Sequence, residues 1–217
     1  MKQQVAEILS RAVEQPGLAA CRTQIVEAFD LLEACFAAGG KLLVCGNGGS
    51  AADSEHIVGE LMKGFASRRP VPAELRRRLE EAYPGGDGRL LGERLQGALP
   101  AISLVSQTSL ATALANDVAA EMVFAQQVHG YGRPADLLLA ISTSGNAANV
   151  IAALRVARVL GLKTIALTGR DGGRMGELAD VVLRVPAAGT PEVQVLHLQV
   201  YHCLCAMLEA EFFAASS

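Results

Sequence analysis

Residues 39–61, GGKLLVCGNGGSAADSEHIVGEL, contain a strand, a glycine-rich loop and a helix in immediate succession. The apolar run at 41–45 is bounded by glycines and is typical of a short buried strand. The loop at 46–50 carries few side chains, and helical spacing follows it. Backbone N–H groups at such a helix N-terminus bind anions. The stretch therefore predicts one strand–loop–helix unit with an anion site at the carboxyl end of its strand.

Four further apolar runs have the same character as the first strand. They are AISLV (101–105), DLLLAIS (136–142), KTIALT (163–168) and DVVLRV (180–185). Helical patterns precede, separate or follow them at 3–14, 19–38, 108–129, 147–160 and 191–213. Continuously apolar strands that alternate with helices are typical of parallel strands covered on both faces. We therefore predict an α/β fold, a three-layer αβα doubly wound domain of about five parallel strands, with N-terminal helices and a long C-terminal helix.

Composition and charge restrict the class of protein. Hydrophobic residues make up 51% of the chain and aromatic residues only 4%, so the apolar mass is aliphatic. The net charge of −3 creates no general attraction for nucleic acid or an acidic membrane. The charged N-terminus and the short apolar runs indicate neither a signal peptide nor a membrane span. We expect no direct nucleic-acid or membrane partner, and we expect the five cysteines to be reduced, mostly buried thiols of a cytoplasmic protein.

Residues 66–98 interrupt the alternation of strands and helices. The segment is charged and contains prolines, glycines and two short helical patterns. Because the sheet needs the strands on both sides of it, we interpret the segment as a surface excursion within a single domain of residues 1–217, either a lid or an oligomer contact. Its run Arg76-Arg77-Arg78 is predicted to be a solvated helix face paired with Glu80 and Glu81 rather than an anion site.

Two loops after predicted strands have the composition of a phosphate site. They are GNGGS (46–50) and STSGN (142–146), and ligands of parallel sheets bind at this edge. Neither loop contains Lys or Arg, which suits a lone phosphate monoester. A dinucleotide site is rejected because no second strand ends in an acidic residue about 20 residues on, and a P-loop because no Gly-Lys-Ser/Thr follows. Simple turns and helix caps are the alternative interpretation.

Two pairs of polar residues lie on helical patterns. His56 and Glu60 are four residues apart and share one helix face. Gln194 and His202 on the last helix differ by about 80° around its axis. If the two helices face each other, these side chains could bind a divalent metal, or Glu60 and His202 could act as base and acid. Ordinary polar surface residues at chance spacing are the third interpretation.

Five motifs resemble those of the phosphoheptose isomerases, a family of the sugar isomerase (SIS) superfamily. They are CGNGGSAADSEHIVGEL, ANDVAAE, ISTSGNAANVIAAL, LTGRDGG and VQVLHLQVYHCLCAMLE. The resemblance covers nearly the whole chain outside residues 66–98. It implies an SIS fold and a homotetrameric enzyme with sites at subunit contacts. It also implies isomerisation of sedoheptulose 7-phosphate to a heptose 7-phosphate, a step toward the heptose of lipopolysaccharide or other glycans.

The resemblance further implies roles for individual residues. Zinc, one ion per subunit, would be bound by His56, Glu60, Gln194 and His202. Glu60 and His202 would also form the acid–base pair of an enediol proton transfer. Substrate contacts would come from a larger set near the strand ends: Asn47, Gly48, Gly49, Ser50, Asn116, Asp117, Ser142, Thr143, Ser144 and Gln194.

Two features of the chain depart from the family pattern. Ala147 stands where the family often has a serine that contacts the phosphate, and the excursion at 66–98 replaces a short connection. Either could change which sugar phosphate is accepted. A non-catalytic tetrameric adaptor, such as a replication-initiator-binding protein, and another SIS enzyme, such as an arabinose 5-phosphate or amino-sugar isomerase, are the alternatives. The full set of His, Glu, Gln and His favours the isomerase.

Overall fold

A computed structural model describes residues 2–214 of the chain. Five strands form its sheet: β1 (Leu42–Cys45), β2 (Ala101–Ser103), β3 (Leu137–Ser142), β4 (Lys163–Thr168) and β5 (Val181–Arg184). The helices are α1 (Gln3–Ala12), α2 (Pro16–Ala19), α3 (Arg22–Ala37), α4 (Gly49–Met62), α5 (Ala73–Ala82), α6 (Asp87–Arg94), α7 (Thr108–Asp117), α8 (Val123–Tyr131), α9 (Ala148–Val159) and α10 (Thr190–Phe213).

All five strands are parallel, in the order β2-β1-β3-β4-β5. Leu43 of β1 pairs with Ile102 on one side and with Leu138 on the other. The chain therefore winds outward in opposite directions from β1, and β1 and β3 flank the point where the direction changes. A crevice opens at such a point outside the carboxyl ends of the strands. The loops at 46–50 and 142–146 both lie there.

Two hydrophobic clusters cover the two faces of the sheet. Side chains of β1 alternate between them: Leu42 and Val44 belong to the larger cluster, and Leu43 and Cys45 to the other. Helices α1, α3, α4 and α10 contribute to the larger cluster, whereas α8 and α9 cover the opposite face. Successive strand residues point to opposite faces, so a strand buried on both sides is apolar throughout. The predicted three-layer αβα fold is confirmed.

The helical pattern predicted at 108–129 is broken in the structure. Helix α7 ends at Asp117, a short 3-10 turn occupies Ala120–Met122, and α8 begins at Val123. Asn116 Nδ2 donates to Asp117 Oδ1 at 2.8 Å at this helix end, and Asn and Asp are both weak helix formers. Val118, directly after them, is 68% exposed and has non-helical backbone angles. The interruption separates one amphipathic pattern into two helices.

The excursion at residues 66–98 forms a helical hairpin. Its two helices, α5 and α6, pack on each other, and its ends meet at an antiparallel bridge between Pro70 and Gln96. Arg77 pairs with Glu74 and Glu81. Pairing of the arginine run with Glu81 was expected, and Glu74 takes the place of the expected Glu80. The segment at 66–98 is called the hairpin below.

Two further observations concern the chain as a whole. All five cysteines are free and buried, as expected for reduced thiols. Among residues 2–214, no helix combines the length and the apolarity needed to cross a bilayer.

Candidate active site

A cavity of about 320 Å³ lies at the carboxyl ends of β1 and β3, between the two polar loops and the first turns of α10. It is called the loop cavity here. It is lined by Asn47, Gly48, Gly49, Ser50, Ile141, Ser142, Thr143, Ala147, Thr190 and Gln194. Larger cavities of about 610 and 380 Å³ lie at the root of the hairpin, away from the strand ends. The loop cavity is the candidate site because ligands of parallel sheets bind at the carboxyl edge.

Glycines allow the backbone to form the wall of the loop cavity. Gly48 has a φ of 56°, which L side chains rarely adopt, and it immediately precedes α4. A Cβ at Gly49 would lie 2.1 Å from Nε2 of Gln194. The side chains of Asn47 and Asn149 exchange two hydrogen bonds of 2.9 Å and so join the loop after β1 to helix α9. The cavity thus has backbone N–H groups and a helix N-terminus, the arrangement that binds an anion.

A second polar group, the histidine cluster, lies farther along α4 and α10 and consists of His56, Glu60, Tyr201 and His202. His56 Nε2 is 3.1 Å from Glu60 Oε1 and 3.5 Å from His202 Nε2. Glu60 Oε2 accepts a bond of 3.1 Å from Lys63 Nζ. The side chain of Glu60 is 14% exposed, against 42% for His56. The two helices therefore do bring the predicted acid–base residues into one cluster.

Tyr201, itself hydrogen-bonded to Asp53, contacts Nδ1 of His56. The Tyr201 hydroxyl donates to Asp53 Oδ1 at 3.2 Å and lies 3.0 Å from His56 Nδ1. Because tyrosine has one hydroxyl proton and a carboxylate only accepts, His56 Nδ1–H is the donor to Tyr201. His56 Nε2 then faces Glu60 with a lone pair. A positive charge between Nε2 and the carboxylate, a proton or a metal ion, is needed to stabilise this contact.

The surroundings change the acidity of these groups. Burial, followed by the nearby His56, lowers the pKa of His202, and Glu60 acts in the opposite direction. Burial raises the pKa of Asp53, although the Tyr201 hydroxyl and His56 partly offset it. Burial is also the main cause of the raised pKa of Tyr201. The lowered pKa keeps His202 neutral near pH 7, a form that can accept a proton or bind a metal.

The structure places most of the predicted site residues in two groups, the loop cavity and the histidine cluster, and leaves three of them outside both. Seven of them line the loop cavity: Asn47, Gly48, Gly49, Ser50, Ser142, Thr143 and Gln194. Three others lie outside that lining, in the part of the chain that the structure describes: Ser144, Asn116 and Asp117. The Ser144 hydroxyl accepts the backbone N–H of Asn146 at 3.2 Å. At about 1.5 Å per helical residue, His56 lies about 10 Å from Gly49 and His202 about 12 Å from Gln194 along their helices.

This separation affects the predicted four-residue metal set. Gln194 lies against Gly49 at the loop cavity, about 12 Å along α10 from His202. His56, Glu60 and His202 lie together. The four ligands are therefore divided between the two groups in this chain.

Three residues in or beside the histidine cluster were not predicted as site residues: Asp53, Lys63 and Tyr201. Asp53 precedes His56 by three residues, so helical spacing could have found it. Tyr201 adjoins His202 in sequence, and its contact with His56 depends on how α10 packs on α4. Lys63 follows Glu60 by three residues, and its contact depends on how α4 ends, which the spacing does not determine.

The fold and site define a class of protein, the SIS domain family, whose sequence model matches residues 2–84 and 88–169. The chain is 41% identical to the phosphoheptose isomerase of Rhodospirillum rubrum over 87% of this chain and 86% of that protein. The chain therefore belongs to the phosphoheptose isomerase family.

Two solved structures have the same fold. The phosphoheptose isomerase of Neisseria gonorrhoeae matches with a TM-score of 0.69 and 34% identity, over 94% of this chain and 96% of that one. The enzyme of Francisella tularensis matches with a TM-score of 0.71 and 30% identity, over 92% and 90%. Both comparisons extend over nearly the full length of each chain.

Proposed function

We propose that the protein is an aldose–ketose isomerase that converts sedoheptulose 7-phosphate to D-glycero-D-manno-heptose 7-phosphate through an enediol. The observation that carries the proposal is that α4 and α10 carry both the loop cavity and the histidine cluster, which at about 1.5 Å per helical residue are about 10 to 12 Å apart. An extended seven-carbon sugar phosphate spans roughly 10 Å from C1 to phosphorus, at about 1.2 Å per bond. A phosphate in the loop cavity would therefore place C1 and C2 at the histidine cluster.

The residues divide the work between binding and proton transfer. Ser142 and Thr143 offer hydroxyl donors to the phosphate, together with N–H groups at the start of α4. Holding the far end of the substrate fixes the orientation of its reacting carbons. Glu60 takes the proton from carbon and returns it to the neighbouring carbon. His202 acts on the oxygens, giving a proton to one and accepting the proton of the other.

We further propose that zinc binds at the histidine cluster. Ligands around a tetrahedral zinc ion, with bonds of about 2.0–2.1 Å, are about 3.4 Å apart. The pairs His56–Glu60 and His56–His202, at 3.1 and 3.5 Å, fit this spacing. Within residues 2–214 no three His, Cys, Asp or Glu side chains form a complete metal site, because His202 reaches Glu60 only through His56. For zinc to bind all three side chains, His202 would have to turn toward Glu60.

When bound, zinc would supply a Lewis acid that polarises the substrate carbonyl. Gln194 would approach such an ion only from outside the present trio of His56, Glu60 and His202. Glu60 and His202 would transfer protons only if the ion released them when substrate binds; otherwise the ion itself would act as the acid on oxygen. Asp53 and Tyr201 orient His56, and Lys63 holds one oxygen of Glu60.

A homo-oligomer, specifically a tetramer, is part of the proposal. Within residues 2–214, helix α7 has no buried residue. Its Leu110 is 39% exposed, and Val118, just past its end, is 68% exposed. Apolar surface of this kind is typical of contacts between subunits. Asn116 and Asp117 lie at the end of α7, so contact with a substrate in a neighbouring subunit would explain their position outside the loop cavity. We place the enzyme in the cytoplasm, where its free cysteines stay reduced, in the synthesis of heptose for glycans.

The proposal is tested by turnover of a panel of phosphorylated ketoses, with Glu60→Gln as the diagnostic variant. Sedoheptulose 7-phosphate should be the best substrate of the wild-type protein. Glu60→Gln should lose turnover by at least about a thousandfold while still binding the sugar phosphate in calorimetry. Glu74→Gln, an exposed glutamate of the hairpin, is the matched control and should keep full activity.

Two outcomes would contradict the proposal. Full activity of Glu60→Gln would remove this residue from the mechanism. Binding of sugar phosphates by the wild-type protein without any turnover, with and without added zinc, would instead favour a non-catalytic adaptor.

A further inference from the structure

Arg69 and Glu209 form a buried ion pair at the root of the hairpin. The Arg69 side chain is fully buried, and Arg69 Nε lies 2.6 Å from Glu209 Oε1. The Phe213 ring covers the guanidinium at 4.7 Å from its centroid. Removing two charges from water is costly, and replacing such a pair by apolar residues is often neutral or stabilising. Simple stabilisation of the fold is therefore a weak explanation for the pair.

The guanidinium of Arg69 also holds the end of α4. Nη1 donates to the Leu61 carbonyl at 2.9 Å, and Nη2 donates to the Glu60 carbonyl at 3.1 Å. The last carbonyls of a helix have no partner within the helix, and a cation there is favourable. One of the two carbonyls belongs to Glu60 itself. Arg69 thus fixes the backbone that carries the proposed base.

The carboxylate of Glu209 holds the segment that follows α4 onto α10. Its two oxygens accept backbone N–H bonds from Phe65, Ala66 and Ser67, at 2.8 to 2.9 Å. Glu209 is seven residues after His202 on α10, about two helical turns, so both residues lie near one face of that helix. The carboxylate therefore attaches the segment after α4 to α10, the helix that carries the proposed acid His202.

From these contacts we propose that Arg69 and Glu209 are positioning residues that set the place of Glu60 relative to His202. This inference rests on the proposed isomerase function. Arg69 follows α4 in the chain, and its side chain pairs with Glu209 on α10. Glu209, in turn, accepts hydrogen bonds from the backbone of the segment that follows α4. The pair links the C-terminal end of α4 to α10 at a point about two turns beyond His202.

The base of the hairpin is part of the same arrangement. The Arg69 carbonyl accepts the N–H of Gly97 at 2.7 Å, and Gln96 Oε1 accepts the N–H of Gly64 at 2.7 Å. The C-terminal end of the hairpin is thus bonded at two points to the segment 64–69, which joins α4 to the ion pair. A displacement of the hairpin would act on Glu60 through Arg69, which makes the hairpin part of the support of the active site.

The test compares kcat and KM of Arg69→Lys and Glu209→Gln with those of two controls. Lysine cannot supply three separate donors in the guanidinium plane, and glutamine places an N–H group where N–H donors converge. We expect kcat to fall about tenfold to a hundredfold in each variant, because small misplacements of reacting groups have such effects. KM should stay within about twofold, because the loop cavity lies about 10 Å away.

The controls separate positioning from general stability. Leu154→Ala empties a buried position in the cluster on the other face of the sheet, and Arg77→Met removes two exposed ion pairs of the hairpin. Both should keep the wild-type kcat at a temperature where circular dichroism shows them folded. Wild-type kcat per folded molecule in Arg69→Lys or in Glu209→Gln would overturn the inference, and because the two variants change opposite ends of the pair, either one suffices. Loss of kcat in Leu154→Ala equal to that of Glu209→Gln would also overturn it.

The same measurements distinguish this inference from the function on which it rests. Absence of isomerase activity in the wild-type protein rejects the function. An active wild type, an inactive Glu60→Gln and an unaffected Glu209→Gln reject the positioning role alone.

Discussion

The side-chain amide of Gln194 lies directly over the α-carbon of Gly49, so closely that a methyl group there would come within 2.1 Å of Gln194 Nε2. The contact joins the first turn of α4 to the first turns of α10 beside the loop cavity. It explains why a glycine is needed at position 49. It also makes the width of the cavity depend on one side chain.

Gly49→Ala should therefore damage substrate binding. The added methyl group would displace the Gln194 amide, and we expect KM to rise at least about tenfold, the equivalent of about 1.4 kcal/mol. Gly59→Ala on the same helix is the matched control, since its Cβ meets nothing within 4 Å. Steady-state kinetics check the prediction, and equal KM values for the two variants would contradict it.

The hydroxyl groups of the loop after β3 should contribute unequally. Ser142 and Thr143 line the loop cavity, whereas the Ser144 hydroxyl is exposed and accepts the N–H of Asn146. A hydrogen bond to a charged group contributes about 1.5–3 kcal/mol. Ser142→Ala and Thr143→Val should thus each raise the dissociation constant of a sugar phosphate about tenfold to a hundredfold, and Ser144→Ala clearly less. Calorimetry decides, and the largest loss in Ser144→Ala would show that the phosphate lies elsewhere.

The stability of the protein should fall in mild acid because of His197. The residue is fully buried, its ring nitrogens make no regular hydrogen bond within residues 2–214, and burial lowers its pKa to about 4, against a weaker effect of the Thr168 backbone. The unfolded chain binds the proton near pH 6.5. The contribution of uncharged His197 to the free energy of unfolding is thus fully present above pH 6.5. It is lost progressively as the pH falls to about 4, and the loss amounts to at most about 3 kcal/mol.

His197→Leu should remove this part of the pH dependence. Urea unfolding at several pH values between 7.5 and 4 measures the free energy of unfolding of the variant and of the wild type. Glu209, whose lowered pKa also matters in acid, is present in both proteins, so its contribution cancels in the comparison. His129→Leu at the exposed end of α8 is the control and should keep the wild-type slope. Identical slopes in all three proteins would refute the prediction.

Zinc should bind with a stoichiometry of about one ion per subunit and raise the melting temperature. A ligand that binds only the folded state stabilises it by about 2.7 kcal/mol at a hundred times its dissociation constant. His56→Gln should lose both the bound zinc and the thermal shift, and His129→Gln should keep both. Metal analysis after chelation and reloading, with a thermal scan, requires no activity measurement. A thermal shift that survives in His56→Gln would place the metal at another site.

Sequence patterns were sufficient for most of the fold. The strand β4 occupies the predicted residues 163–168, and the remaining strands are within two residues of their predicted ends. Continuous apolar runs indicated burial on both faces, and this burial is what forms a three-layer domain. The break after Asp117 was missed because the apolar spacing continues across it, although Asn116 and Asp117 are weak helix formers.

The site was predictable where it depends on local geometry. The shared face of His56 and Glu60 follows from helical spacing, and the loop cavity follows from the order of the strands. The Arg69–Glu209 pair was not predictable, because 140 residues separate its members and only the packing of α10 on α4 brings them together. For the same reason the contact between His56 and His202 required the structure. The roles assigned to the site residues, zinc binding and the single-domain boundary stay predictions.

The bridge between Pro70 and Gln96 also bears on how the chain folds. Strands β1 and β2 pair with each other, with the hairpin inserted between them. Loop closure loses entropy according to the length of free chain, and a hairpin whose ends already meet removes its own residues from that length. If α5 and α6 form first from local contacts, the effective length of the loop between β1 and β2 becomes shorter. The entropy lost when the two strands pair would then be close to that of a protein without the hairpin.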